Sequence, residues 1–215
     1  MAGTIDSPDL ALERQAARHR EAEHRVKNTL QLISSIVLLQ GRRAKDDAAR
    51  EALRALQQRV AAVSVAHRRV SWDGEAEQVE LAALVREVVN DLAGHADREG
   101  VDILLDLEPV SIAGRHGAAV ALLISEMVGN ALRHAFPDSR AGRIRVGLRR
   151  SGGIFELTVA DDGIGLAEDG PAGGFGLNVV QLMTQQLRGK LVTDAAQPGL
   201  RHTVTVPMEA PTPRG

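Results

Sequence analysis

An apolar run that ends in Asp161-Asp162-Gly163-Ile164-Gly165, followed by Gly173-Gly174-Phe175-Gly176 at the head of a second amphipathic stretch, limits what this chain can build. Glycines so spaced permit positive φ and close backbone approach, so their N–H groups can point at phosphate oxygens with no Cβ in the way. Asp161 closes the apolar strand Phe155–Val159 and offers a fixed carboxylate acceptor, suited to an exocyclic amine such as that of adenine. Upstream, Glu126 and Asn130 lie one helical turn apart and face the same way, an arrangement that suits a hydrated Mg²⁺ taking one or two oxygen ligands beside phosphates. Alone, Asp-x-Gly-x-Gly is more often a plain turn than a nucleotide site. The order is more specific: an Asn-bearing helix, a hairpin, an Asp-Gly turn, then a Gly-rich loop opening a helix.

The other end of the chain has a different rhythm. In Glu21–Gln40, EAEHRVKNTLQLISSIVLLQ, apolar Val26, Leu30, Ile33 and Val37 recur at spacings of four and three, as on a helix packed in a bundle. His24, Asn28, Gln31 and Ser35 share the opposite face, so His24 is expected at the surface, where a neutral imidazole nitrogen can attack a phosphoryl group. Ser7 reads as N-cap of this helix with Pro8 in its first turn, Gly41 as its end, and Asp46 or Asp47 as the cap of a second helix bearing Leu53, Leu56, Val60, Val63 and His67. So short a connection makes the two helices antiparallel. Their stripe is wider than one partner helix covers, which predicts a homodimer paired as a four-helix bundle; the alternative is a monomer whose remaining residues fold back over the stripe.

Ser71–Glu75 breaks the helical pattern and reads as a linker. Beyond it the pattern predicts a helix over Val79–Leu92, a strand over Val101–Leu107, a helix over Arg115–Ala135, a hairpin of Ile144–Leu148 and Phe155–Val159, a helix over Phe175–Leu187, and closing strands at Leu191–Thr193 and Thr203–Val206. Helices on one face of a mixed sheet make an α/β sandwich, so the expected class is α+β with two modules: a helical hairpin at residues 7–71 and the sandwich at 77–208. Between the glycine clusters Leu166–Ala172 is expected to form a lid, and the proline-rich tail Ala210–Gly215 to be disordered.

Composition narrows the chemistry. The 215 residues, 44% hydrophobic, suffice for a core domain plus a hairpin. A formal net charge of −2 gives no reason to expect a nucleic-acid partner, and the absence of cysteine excludes disulfides, zinc–thiolate sites and thiol catalysis. The longest apolar stretches fall far short of the ~20 residues a membrane span takes, and the N-terminus lacks a signal-peptide pattern, so a cytoplasmic protein is expected. Among the 7 histidines, His19 reads as packing or solvated and His67 as core or interface, while His95, His116 and His202 have no motif around them and receive no role.

Glu126–Phe136, EMVGNALRHAF, resembles the N box of the ATP-binding (Bergerat) domain shared by histidine kinases, gyrase and mismatch-repair ATPases and heat-shock chaperones; DDGIG resembles its G1 box and GGFGL its G2 box. HRVKNTLQ resembles the dimerisation and phosphoacceptor helix of histidine kinases whose motif is His-Arg-x-x-Asn, the HWE type or a close relative. The resemblance implies that His24 takes the γ-phosphate of ATP and passes it to an aspartate on a response-regulator receiver domain. It implies that Asn130 binds Mg²⁺ through its amide oxygen, with Glu126 supporting the metal through water or handling a proton. Arg133 would meet phosphate, and His134 phosphate or ribose. Asp161 would accept from the adenine amine, Gly163 and Gly165 would shape the base pocket, and Gly174 and Gly176 would approach the phosphates at a helix N-terminus.

One departure bears on mechanism. Arg25 stands where many such kinases carry a carboxylate base after the phosphoacceptor; Glu23 or the ATP domain substitutes, or the neutral imidazole needs no base. Asn28, one turn after His24, either positions a water that hydrolyses a phosphorylated partner or is an exposed helix residue. No receiver or sensor domain is expected in the remaining residues, so input would come from a separate sensor or regulator protein, the short N-terminal segment or a fused domain. Two other readings stay open: a phosphotransfer or scaffold protein with this fold but no ATP turnover, and an anti-sigma serine kinase, which would have no use for an exposed bundle histidine.

Overall fold

The structure is a computed structural model that describes residues 8–72, 77–96, 100–165 and 175–208, with side chains from Arg25 onward, Trp72 excepted. The chain forms two compact units, Met1–Val60 and Ala61–Gly215.

The first unit consists of α1 (Pro8–Arg43) and the start of α2 (Asp47–Arg69). Ser7 and the side chains of His19, Glu23 and His24 lie outside the described residues. Asn28, Gln31 and Ser35 are exposed and Val37 is buried, as the spacing of the apolar residues requires. Gly41 does not end α1, which continues to Arg43. A Cβ at Gly41 would lie 3.9 Å from the Leu53 Cβ, so this glycine marks where the two helices approach rather than where one stops. Asp46 caps α2 by accepting the Ala49 N–H at 2.7 Å.

The second unit takes in the last turns of α2, where Ala62, Val65 and Ala66 join its core. His67, expected in core or interface, is exposed: it follows the buried pair Val65-Ala66 and is turned about 100° from Ala66 around the helix. The expected linker is structured at its start. Val70–Trp72 forms strand β1, which pairs antiparallel with β2 (Glu77–Glu80), and Asp73–Glu75 lie outside the described residues. Helix α3 (Leu81–His95) follows at once. Its expected first residue, Val79, belongs to β2 instead, because the Glu80 carboxylate accepts the N–H groups of Ala82 at 2.8 Å and Ala83 at 2.6 Å and so fixes the helix start. Arg68 and Arg69 reach α3 and bind the Glu87 carboxylate at 2.8 and 2.5 Å.

Strands β3 (Val101–Leu107), β4 (Ser111–Ala113), β5 (Gly142–Ser151), β6 (Ile154–Asp161), β7 (Lys190–Ala195) and β8 (Leu200–Pro207) complete the sheets, with α4 (Gly117–Asn130) and α5 (Phe175–Gln186) between them. A three-stranded sheet has the order β1-β2-β4, and a five-stranded sheet the order β3-β5-β6-β8-β7, in which only β3 and β5 run parallel. The register of β5 on β6, Val146 opposite Val159 and Leu148 opposite Leu157, puts all four on the buried face, where α3, α4 and α5 cover them. The outward residues Arg143, Arg145, Glu156 and Arg201 are exposed. This is the expected α/β sandwich. Its inward face at the open end of β6 carries Asp161.

Because two charge-assisted bonds start α3, Glu80→Ala is expected to destabilise the second unit by about 1 kcal/mol. A urea titration with an unchanged denaturant slope checks this.

Candidate functional site

Helix α4 is apolar almost all round and correspondingly buried, yet it carries one acid, Glu126, which is 2% exposed. Asn130 follows one turn later and ends the regular helix. The expected single helix over Arg115–Ala135 is in fact three conformations: a 3₁₀ turn at Gly114–His116, α4, and a π turn at Ala131–Ala135. Such wide turns re-aim side chains at functional sites. Here it returns the Arg133 guanidinium to the Asn130 amide oxygen at 2.8 Å and leaves His134 exposed.

The π turn also presents the Ala135 carbonyl outward, and the loop after β6 is seated on it. Ile164 N–H donates to Ala135 O at 3.0 Å, and a Cβ at Gly163 would collide with the same carbonyl. Gly163 is therefore required by close approach and Gly165 by its φ of +73°, two different uses of glycine in one motif.

Asp161 is held by the loop it begins and by the opposite strand. Its Oδ1 accepts the N–H groups of Gly163 at 3.0 Å and Leu200 at 3.3 Å. Among the described residues Oδ2 takes no hydrogen bond. A carboxylate with one oxygen pinned by backbone and the other free is an oriented acceptor. Asp162 has a different duty: its carboxylate accepts the Arg143 N–H at 2.6 Å and ties the loop to β5.

Helix α5 completes the group. A Cβ at Gly176 would lie 2.6 Å from Glu126 Oε2 and 3.1 Å from Asn130 Oδ1, so the first turn of α5 passes directly over the polar face of α4. Gly173, Gly174 and the expected lid Leu166–Ala172 lie outside the described residues. The structure thus brings together Glu126, Asn130, Arg133 and Gly176, and joins them through the π turn to Gly163, Gly165 and Asp161. His24 and Asn28 belong to the other unit.

Three residues at the end of β8 escaped the sequence reading. Gly199, at φ +97°, passes so close to the Asp161 carbonyl that a Cβ would overlap it; Leu200 pins Asp161; His202 is 9% exposed and its Nδ1 is 2.9 Å from Thr193 Oγ1. Burial holds the His202 imidazole below its ordinary pKa, an effect the Asp161 charge partly opposes. Only the strand register reveals them, by placing His202 opposite Val159, one pleat from Asp161 on the same face.

Residues 21–96 match the family described as histidine kinase, and residues 116–210 match that of histidine kinase-, DNA gyrase B- and HSP90-like ATPases. The chain belongs to the histidine kinase family. It is 32% identical over 213 residues to the sensor histidine kinase PdtaS of Mycobacterium tuberculosis, covering 93% of this chain and 41% of that protein. It is 31% identical over 221 residues to blue-light-activated histidine kinase 2 of Erythrobacter litoralis, covering 96% of this chain and 61% of that one. This chain therefore spans about half the length of the curated relatives it matches. The histidine kinase domain of an Erythrobacter litoralis blue-light activated histidine kinase superposes with a TM-score of 0.68 at 25% identity, over 92% of this chain and 95% of that one. Among the described residues no helix is long and apolar enough to cross a membrane.

Gly163→Ala should cost about 1–3 kcal/mol, since a backbone carbonyl has to move. Gly153→Ala, where a Cβ meets nothing within 4 Å, should change stability little. Paired urea titrations check the contrast, and ADP titration should show weaker binding by Gly163→Ala alone.

Proposed function

We propose that this chain transfers the γ-phosphate of ATP to His24 and then to an aspartate of a response-regulator receiver domain. The observation that carries the reading is the pinned Asp161 carboxylate, with Oδ2 left open, in the same unit as the Glu126–Asn130–Gly176 cluster. The first is a base-recognising end and the second a phosphate end. Residues 77–208 are the ATP-binding domain and residues 7–71 the phosphotransfer hairpin, which pairs with a second copy.

Glu126 and Asn130 fit a magnesium ion. They supply hard oxygen donors on one helix face, and Gly176 lets the start of α5 come so close that a Cβ would lie 2.6 Å from Glu126 Oε2, so residue 176 puts no side chain against these donors. Magnesium would neutralise charge on the phosphates. The Asn130 amide oxygen has two lone pairs, so it can face the metal while it accepts from Arg133, whose guanidinium stands in the same cluster to meet phosphate. His134, exposed beside it, would meet phosphate or ribose. Gly176 brings the start of α5 to the phosphates, where a helix N-terminus favours anions.

In the transfer the bond from the γ-phosphorus to the β–γ bridging oxygen breaks, ADP leaves with the electron pair, and an imidazole nitrogen of His24 forms the new N–P bond. A neutral imidazole has a lone pair on one ring nitrogen, so Arg25 in place of a carboxylate is compatible with attack without an adjacent base. Asn28 is proposed to position water for hydrolysis of the phosphorylated regulator.

Autophosphorylation with γ-labelled ATP should give acid-labile label on the wild type. His24→Ala should give none, and Asn130→Ala should lose at least about 100-fold, because phosphoryl transfer depends on positioning and charge stabilisation. Label retained by His24→Ala, or stable to acid, overturns the assignment.

A further inference from the structure

His202 is a buried titratable side chain that the phosphoryl-transfer reading leaves unused. It lies on the inward face of β8, opposite Val159, and Asp161 is the next inward residue of β6. Diagonal neighbours on one sheet face stand within reach of a ring as large as imidazole. Its Nδ1 is 2.9 Å from the Thr193 hydroxyl, which fixes the ring from the β7 side. Asp161 has its Oδ1 pinned by Gly163 and Leu200, so the oxygen a neighbouring cation could draw away is Oδ2.

Resting on the reading of Asp161 as the adenine acceptor, we propose that His202 is a positioning residue beneath the base pocket whose protonation withdraws Asp161 and weakens nucleotide binding. The neutral ring leaves Oδ2 to the base. A protonated ring beside the same carboxylate competes for it, and covering the pocket with a base removes water from the imidazolium, so both effects act in one direction.

The surroundings make Asp161 the charge that matters. Helix α5, which packs against β7, has no ionisable side chain in Phe175–Gln186. Asp194 of β7 and Arg201 of β8 are exposed and alternate away from His202 along their strands. Among the described residues, Asp161 is the one charged group whose field acts on the ring. Burial keeps that ring neutral at neutral pH, so protonation comes as pH falls below the ordinary imidazole range, and the affinity loss belongs to that acidic window.

The test measures affinity for Mg-ADP from about pH 8 to about pH 4.5, which extends below the ordinary imidazole range, in wild type and in His202→Gln, which keeps a hydrogen-bonding group but does not titrate. Titration of the ADP phosphates is common to both, so the ratio of their dissociation constants reports His202. The wild type should weaken by about tenfold more than His202→Gln across the range, a typical coupling between two sites. By the same linkage, the midpoint of the His202 ring resonances of the wild type, followed by NMR, should fall when Mg-ADP is bound. This second measurement decides the matter if His202→Gln does not fold. Parallel affinity curves, or a midpoint that stays or rises with Mg-ADP, overturn the proposal while leaving nucleotide binding intact. No Mg-ADP binding at any pH overturns the reading it rests on.

Discussion

The hydrogen bond from Ile164 N–H to the Ala135 carbonyl joins the two halves of the candidate site, and the rest of the site depends on the closeness it demands. One partner belongs to the π turn after α4, the other to the loop after β6. For them to meet, residue 163 must have no side chain, since the space its Cβ would take is filled by the same carbonyl. The carbonyl is available because Ala135 ends the turn, where a helix leaves its carbonyls without intrahelical donors, so the end of the helix and the glycine in the loop are two sides of one fit. Asp161 inherits its orientation from this contact. The Gly163 N–H that it accepts is in place only while the loop is seated.

Much of this was legible in the sequence, and the reason is periodicity. Ile144, Val146 and Leu148 alternate with Arg143, Arg145 and Gly147, which fixes both the strand and its buried face, and the glycine clusters identify where backbone must come close. What was not legible depends on partners distant in sequence. Ser71–Trp72 reads as a linker because three residues cannot show a pattern, and it becomes a strand only because β2 pairs with it and β4 with β2. Gly41 has the composition of a helix stop but is kept inside α1 by the approach of Leu53. His67 follows the apolar spacing of α2 yet is exposed, because the buried stripe over the last turns is set by Ala62, Val65 and Ala66, small residues that carry little pattern.

The candidate site divides in the same way. Glu126, Asn130, Asp161 and the glycines are recognisable because each uses a chemical property that few residues share: a hard oxygen donor at helical spacing, or the absence of Cβ. The π turn is not, since Ala131-Leu132-Arg133-His134-Ala135 has the propensity of an ordinary helix, and the wide turn is decided by what packs against it. His202 is hidden for a related reason. In a strand of alternating Thr and Val it looks like one more inward residue, and its meaning comes only from Asp161 on the neighbouring strand.

Glu126 makes the energetic logic of the site clearer than any other residue. Taking a carboxylate that is 2% exposed on an otherwise apolar helix out of water carries a desolvation cost even where it has partners, so a fold under pressure for stability alone would put an aliphatic residue there. Gly176 points the same way: glycine in the first turns of a helix costs about 1 kcal/mol relative to alanine, yet no larger residue fits over Glu126 and Asn130. Arg133 adds a third such residue, a guanidinium that binds the Asn130 amide oxygen three residues back. Each of the three is a poor choice for packing, and all three converge on one small volume between α4 and α5. A phosphate ligand that carries its own magnesium would set the cation against the oxygens of Glu126 and Asn130 and its anionic oxygens against Arg133, and the coincidence of the three in space is what separates this cleft from an ordinary gap between two packed helices.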